Sequence, residues 1–211
     1  DDRYVLPAVW LRYSHGVRIA VLLATRGGGG QNLSGPQTGD SLERIRTLET
    51  EAGCSHFHGE VWYLNRPDAG YRRSAAETFA EWGRDGTLRD LVRLLRAIRP
   101  DCVLSTHHAE EAHGHDLALV ELLPEAIALA ADAAYMTEVP VHRVGSFLLG
   151  SGSSSSANTV RIDGDRLEPV RGFSFRQLAY QILRDAHTST GTPAAIDTVF
   201  EPQLRLEPKS P

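Results

Sequence analysis

VRIAVLLATRGGGGQN, residues 17–32, is the stretch on which the fold turns. Its first nine residues, 17–25, are a near-continuous aliphatic run, the pattern of a parallel strand covered on both faces. The run breaks at once into Arg26 and four glycines, so a strand opens into a glycine loop. Such a loop invites a dinucleotide-binding reading, because glycines let backbone approach a phosphate closely. The spacing argues against it. A G-x-G-x-x-G fingerprint needs a helix to begin inside the motif, whereas Asn32 to Gly39 (NLSGPQTG) reads as loop, and no acidic residue follows at the end of the next strand.

Outward from this stretch, helix and strand alternate. Residues 40–52 read as a helix with Leu42, Ile45 and either Leu48 or Glu49 on one side, and EVWYL (60–64) as a second short strand. Ser74-Ala-Ala-Glu77 is a capping box that opens a short helix closed by Gly83. In the next helix Leu88, Leu91, Val92, Leu95 and Ile98 form one apolar stripe, the arginines opposite read as a solvated face, and Pro100 stops it. DCVLS (101–105) is a third strand, ending in Thr106-His107-His108, and a helical segment bent at Pro124 is expected from about His113 to Asp132. VHRVGSFLLG (141–150) and NTVRI (158–162) read as extended pieces around the loop GSGSSSS, and residues 175–186 as a closing helix. The fold class expected is α/β: a Rossmann-like, mostly parallel sheet flanked by helices, with a C-terminal β-containing extension.

A chain of 211 residues with 41% hydrophobic and 23% charged residues is long enough for one sizeable core. No run approaches the ~18–20 apolar residues that cross a bilayer, and DDRYVLP at the start is not a signal peptide. A soluble chain is expected, cytoplasmic or secreted as part of something longer. A net charge of -5 without a basic block gives no footprint for nucleic acid. The oligomeric state is left open. Cys54 and Cys102 form no C-x-x-C pair, and Cys102 within DCVLS reads as a small core hydrophobe.

The histidines carry more information. His113-Gly114-His115-Asp116 stands beyond the third strand, where α/β enzymes place chemistry. Residues 113 and 116 are three apart, so on a helical start they face one way while His115 points elsewhere. The plainer reading is a helix cap with solvated imidazoles.

Taken together, the pieces resemble the LmbE-like (PIG-L) family of N-acetylglucosamine deacetylases. Its H-P-D-D-E motif appears as Asp1-Asp2-Arg3, a subgroup's R-G-E-G-G-Q-N as Arg26 to Asn32, and its H-G-H-H or H-G-D-H as His113 to Asp116. Arg46-x-x-Glu49 is similar to the family's R-x-x-E, residues 64–82 to its L-x-x-P-D-x-G segment and following helix, and His187-Thr-Ser-Thr-Gly191 to an H-K-S-Q-G motif. The resemblance implies a deacetylase domain over residues 1–195, lacking its first strand, and a tail or linker over 196–211. It implies a small-molecule or glycoconjugate substrate with an N-acetylated amino sugar, and a zinc cofactor held by Asp2, Asp116 and a histidine expected two places before Asp1. Asp1 would be the general base, and His113 would stabilise the oxyanion or protonate the leaving amine. Arg26, Arg46, Asp68 and His187 would bind substrate. Arg46 as a partner of Glu49, Asp68 as a turn residue and His187 as a helix-end dipole partner are the structural alternatives. Two departures, Arg3 for glutamate and Asp116 for histidine, admit Fe2+ or Mn2+ beside zinc, or a degenerate member that binds carbohydrate without hydrolysing it.

Overall fold

The computed structural model describes residues 3–107, 113–150 and 160–191, and the backbone of 199–205. In chain order the elements are α1 (Val5–His15), β1 (Ala20–Leu23), α2 (Gly39–Ser55), β2 (Glu60–Tyr63), α3 (Ala75–Trp82), α4 (Arg84–Ile98), β3 (Cys102–Ser105), α5 (Gly114–Ala130), β4 (Ser146–Gly150), β5 (Val160–Arg161), α6 (Phe175–Ala186) and β6 (Val199–Arg205). The chain divides into two compact units, Asp1–Tyr71 with Arg161–Thr198, and Arg72–Val160 with Val199–Pro211.

In the first unit β1 and β2 pair in parallel, Ala20 opposite Glu60 through Leu23 opposite Tyr63. The aliphatic run thus becomes a strand, and α2 starts only at Gly39, well outside the glycine loop. That late start removes the helix N-terminus a dinucleotide would need. The sequence reading assigns no element to residues 5–15, yet α1 buries Val5, Leu6, Ala8 and Val9 and ends on Gly16 in the left-handed region, where glycine carries no Cβ penalty. Burial of the two valines and the leucine contributes roughly 1.5–3 kcal/mol each. On α2 it is Glu49, not Leu48, that is buried. α6 closes the unit through a capping box, with the Ser174 side chain accepting from the Gln177 N–H and the Gln177 side chain accepting from the Ser174 N–H.

The second unit is built on β3 and β4, parallel from Cys102 opposite Ser146 to Ser105 opposite Leu149. Its sheet runs in the order β3-β4-β6-β5, so short parallel strands flanked by helices are present as expected, although the described residues form two sheets rather than one. Within 196–211, read as a tail, β6 lies antiparallel to β4. Pro202, whose missing N–H argues for a linker, pairs with Leu148 beside a register shift, where a ladder tolerates it. β4 begins at Ser146, later than the sequence suggests, because Gly145 and Ser146 both turn their N–H groups to Asp101 O. The GSGSSSS loop lies outside the described residues beyond Gly150.

α3 and α4 follow the sequence closely. Ser74 caps α3 by accepting from the Glu77 N–H, Gly83 ends it at φ 72°, and the whole predicted stripe of α4 is buried. Two details differ. Cys102 is exposed: among the described residues β3 stands at the edge of its sheet, with β4 on one side. Arg96 is not on a solvated face. It is 3% exposed, and its guanidinium donates to the carbonyls of Leu129, Ala130, Asp132, Met136 and Val139, satisfying the otherwise orphaned C-terminus of α5 and the turn after it.

Candidate functional site

In the first unit the motif residues converge on the glycine loop. Arg46, on α2, donates through Nη1 to Gly27 O (2.6 Å) and through Nη2 to Gln31 O (2.8 Å). A Cβ at Gly30 would stand 2.5 Å from that guanidinium, and one at Gly29 would stand 2.4 Å from both Asp68 O and Gly70 N. The glycines are therefore needed for the close approach of protein to protein. Asp68 itself accepts from Gly70 N–H at 3.1 Å, a turn-forming bond, and lies 3.5 Å from the Thr25 hydroxyl. Arg26 donates to Asn65 and Thr47 and stacks 3.9 Å over the Tyr63 ring. It also borders an open depression of about 620 Å³ with Asp40, Glu43, Arg44 and Thr47.

One helical turn beyond Arg46, the buried Glu49 takes up the other motif loop. Its Oε1 accepts from the Thr188 hydroxyl and the Ser189 N–H, both at 2.8 Å, and its Oε2 accepts from the Ser189 hydroxyl. Ser189 O in turn accepts from Leu33 N–H at 2.9 Å. The R-x-x-E spacing thus pins two loops from one helix, and Arg46 and Glu49 do not pair with each other through these bonds. His187 ends α6, is buried, and packs its ring against Gly53 of α2, with the Tyr4 ring 6.5 Å away.

In the second unit, His113 is the N-cap of α5 rather than a member of its first turn, with extended backbone at φ -103°, ψ 127°. Its Nδ1 accepts the His115 N–H at 3.2 Å. An accepting Nδ1 carries no proton, so the neutral ring bears its proton on Nε2 and is a donor there. Gly114 is required at the next position, since a Cβ would stand 2.4 Å from Ser74 O and 2.7 Å from the Arg72 Cβ. His115 is buried, 4.8 Å from the Trp82 ring and 4.6 Å from that of His113. Asp116 is partly exposed and faces His107, with Oδ1 and Nδ1 3.6 Å apart.

The structure therefore brings Asp116 together with His107, a residue the sequence reading leaves at a strand end without a role. Histidine just past a parallel strand is the signal that marks it. Asp1 and Asp2 lie outside the described residues. No three His, Cys, Asp or Glu side chains gather to hold an ion among the described residues. The imidazole and carboxylate of His107 and Asp116 suit a divalent cation in kind and spacing, since bonds of ~2.0–2.1 Å in a tetrahedral site place neighbouring donors roughly 3.3–3.5 Å apart. No helix among the described residues is long and apolar enough to cross a membrane.

Residues 1–127, more than half of the chain, match the family model described as PIG-L: GlcNAc-PI de-N-acetylase. Compared with curated proteins, the sequence finds no match. Solved structures share the fold. 4-Carboxy-2-hydroxymuconate hydratase GalB from Pseudomonas putida superposes with a TM-score of 0.63 at 16% identity, covering 98% of this chain and 94% of its own. N,N'-diacetylchitobiose deacetylase from Pyrococcus horikoshii gives 0.64 at 16% identity over 89% of this chain and 67% of its own. A conserved protein from Thermus thermophilus gives 0.58 at 18% identity over 100% and 94%.

Proposed function

We propose that this chain, which belongs to the PIG-L family, hydrolyses the acetamide group of an N-acetylated amino sugar or glycoconjugate in a metal-dependent reaction, giving the free amine and acetate. The observation that supports this most is the late motif. His113 is fixed as a helix cap with its ring proton directed to Nε2, and the carboxylate of Asp116 lies within reach of a second imidazole. By the motif match, Asp2 and Asp116 would hold the cation. That cation, zinc by family resemblance, would supply Lewis acidity, polarising the amide carbonyl and making water acidic enough to react near neutral pH.

The chain's own residues then divide the proton work. Asp1 takes the proton of the attacking water as the new C–O bond forms. His113 donates a hydrogen bond from Nε2 to the developing oxyanion. Asp1 then returns that proton to the nitrogen as the C–N bond breaks, which releases the amine and leaves acetate. Arg26, Arg46, Asp68 and His187 are assigned to substrate by motif alone. Each also serves the fold, so their contribution is to shape the surface as much as to touch the sugar.

Replacement of the family's histidine by Asp116 and of its glutamate by Arg3 favours a second reading, a carbohydrate-binding member without turnover. The fold also carries a hydratase, so the fold does not choose between chemistries. Proton NMR of the full-length protein with N-acetylglucosamine conjugates and diacetylchitobiose separates the readings. Equimolar acetate and free amine are expected. Saturable binding with no acetate supports the binding module and refutes hydrolysis.

A further inference from the structure

We infer that His107, which no motif match assigns, is itself a ligand of the divalent cation attached to Asp116, so the site draws an imidazole from the end of β3. The inference rests on the proposed function for the existence of the cation and on the structure for the identity of the ligand. His107 Nδ1 and Asp116 Oδ1 are 3.6 Å apart. A closed ion pair of these groups would stand at about 2.7–2.9 Å, so 3.6 Å is too long for their hydrogen bond. It is close to the edge of a coordination tetrahedron.

Both groups are also placed to receive an ion. Their side chains are 13% and 23% exposed, sheltered but open to entry. The His107 N–H donates to the Ser105 side chain and the Asp116 N–H to His113 O, so each backbone is held at the end of a strand or the start of a helix. His115 is buried against Trp82, and His113 Nδ1 accepts a backbone N–H. A carboxylate alone is a hard ligand suited to magnesium or manganese, and an added imidazole nitrogen moves the set toward zinc.

The test uses the full-length protein, freed of metal and titrated with Zn2+ and with Co2+ as a spectroscopic probe. His107→Ala is expected to weaken zinc binding by more than about 100-fold, beyond the 10–100-fold typical of a residue that only orients a ligand. His115→Ala is expected to keep tight binding if it folds. His107→Cys retains a ligand and is expected to give the cobalt protein a near-ultraviolet thiolate charge-transfer band that the wild type lacks. That gain of signal does not depend on how His107→Ala folds. Zinc affinity unchanged in His107→Ala, or a cobalt His107→Cys protein without the thiolate band, overturns the assignment while leaving the proposed function standing. Failure of the wild type to bind any divalent cation overturns both.

Discussion

Two regions carry the family's motifs, and their polar groups stand in different surroundings. Around the glycine loop the named side chains are committed to the chain itself: Arg46 to the carbonyls of Gly27 and Gln31, Glu49 to Thr188 and Ser189, Asp68 to its own turn. At the start of α5, Asp116 and His107 face each other at partial exposure with Oδ1 and Nδ1 3.6 Å apart, a spacing that two ligands of one ion could take, and His113 Nδ1 accepts a backbone N–H. A motif can be retained because it holds loops or because it holds reactants, and spacing in a sequence does not distinguish the two.

The comparison breaks most sharply in kinetics. His113→Gln is expected to lower kcat by about 10²- to 10⁴-fold, the usual contribution of a positioned proton donor, with a stability loss of only about 0.5–2 kcal/mol from the altered cap of α5. A loss confined to KM would move His113 from chemistry to binding. Next in size is Glu49→Ala, which strands two hydroxyls and a backbone N–H and is expected to cost about 2–4 kcal/mol in chemical denaturation. Its cation affinity should match the wild type, and Glu49→Gln should recover part of the stability. If Glu49→Ala folds normally yet loses the cation, the two regions are not separate in function. Arg46→Lys follows, because an ammonium cannot span two carbonyls as a guanidinium fork does. A stability loss of about 1 kcal/mol is expected with KM raised modestly, read from denaturation and initial rates on the same preparation.

How much of this is legible in the sequence depends on how far away each residue's partner lies. The stripe of α4, the Ser74 cap and the span of α6 are local patterns and can be read directly. Leu48 against Glu49 cannot be decided from periodicity, because Glu49 is buried by partners about 140 residues later. Arg96 is misread for the same reason: nothing near it in sequence announces the five carbonyls that take it inside. In the candidate site, His113 and Asp116 are visible as a motif. The capping geometry that fixes the tautomer of His113, and the approach of His107, emerge only in three dimensions.

The smallest effect concerns the thiols, which sit one in each unit. Cys54 is buried, and burial pushes its pKa up to about 11, so its reactive thiolate is scarce at neutral pH, whereas Cys102 is exposed. Native protein is expected to titrate one thiol rapidly with a chromogenic disulfide and the second only after unfolding. Two rapid thiols would mean that the first unit is looser than its hydrogen bonds imply.

Metal-dependent deacetylation is tested by acetate release from the full-length protein before chelation, after chelation and after zinc is returned. Turnover of an N-acetylated amino sugar that disappears with the metal and returns with it is the outcome expected. Turnover indifferent to chelation, or no acetate in any of the three conditions, would contradict the assignment of metal-dependent deacetylation to this chain.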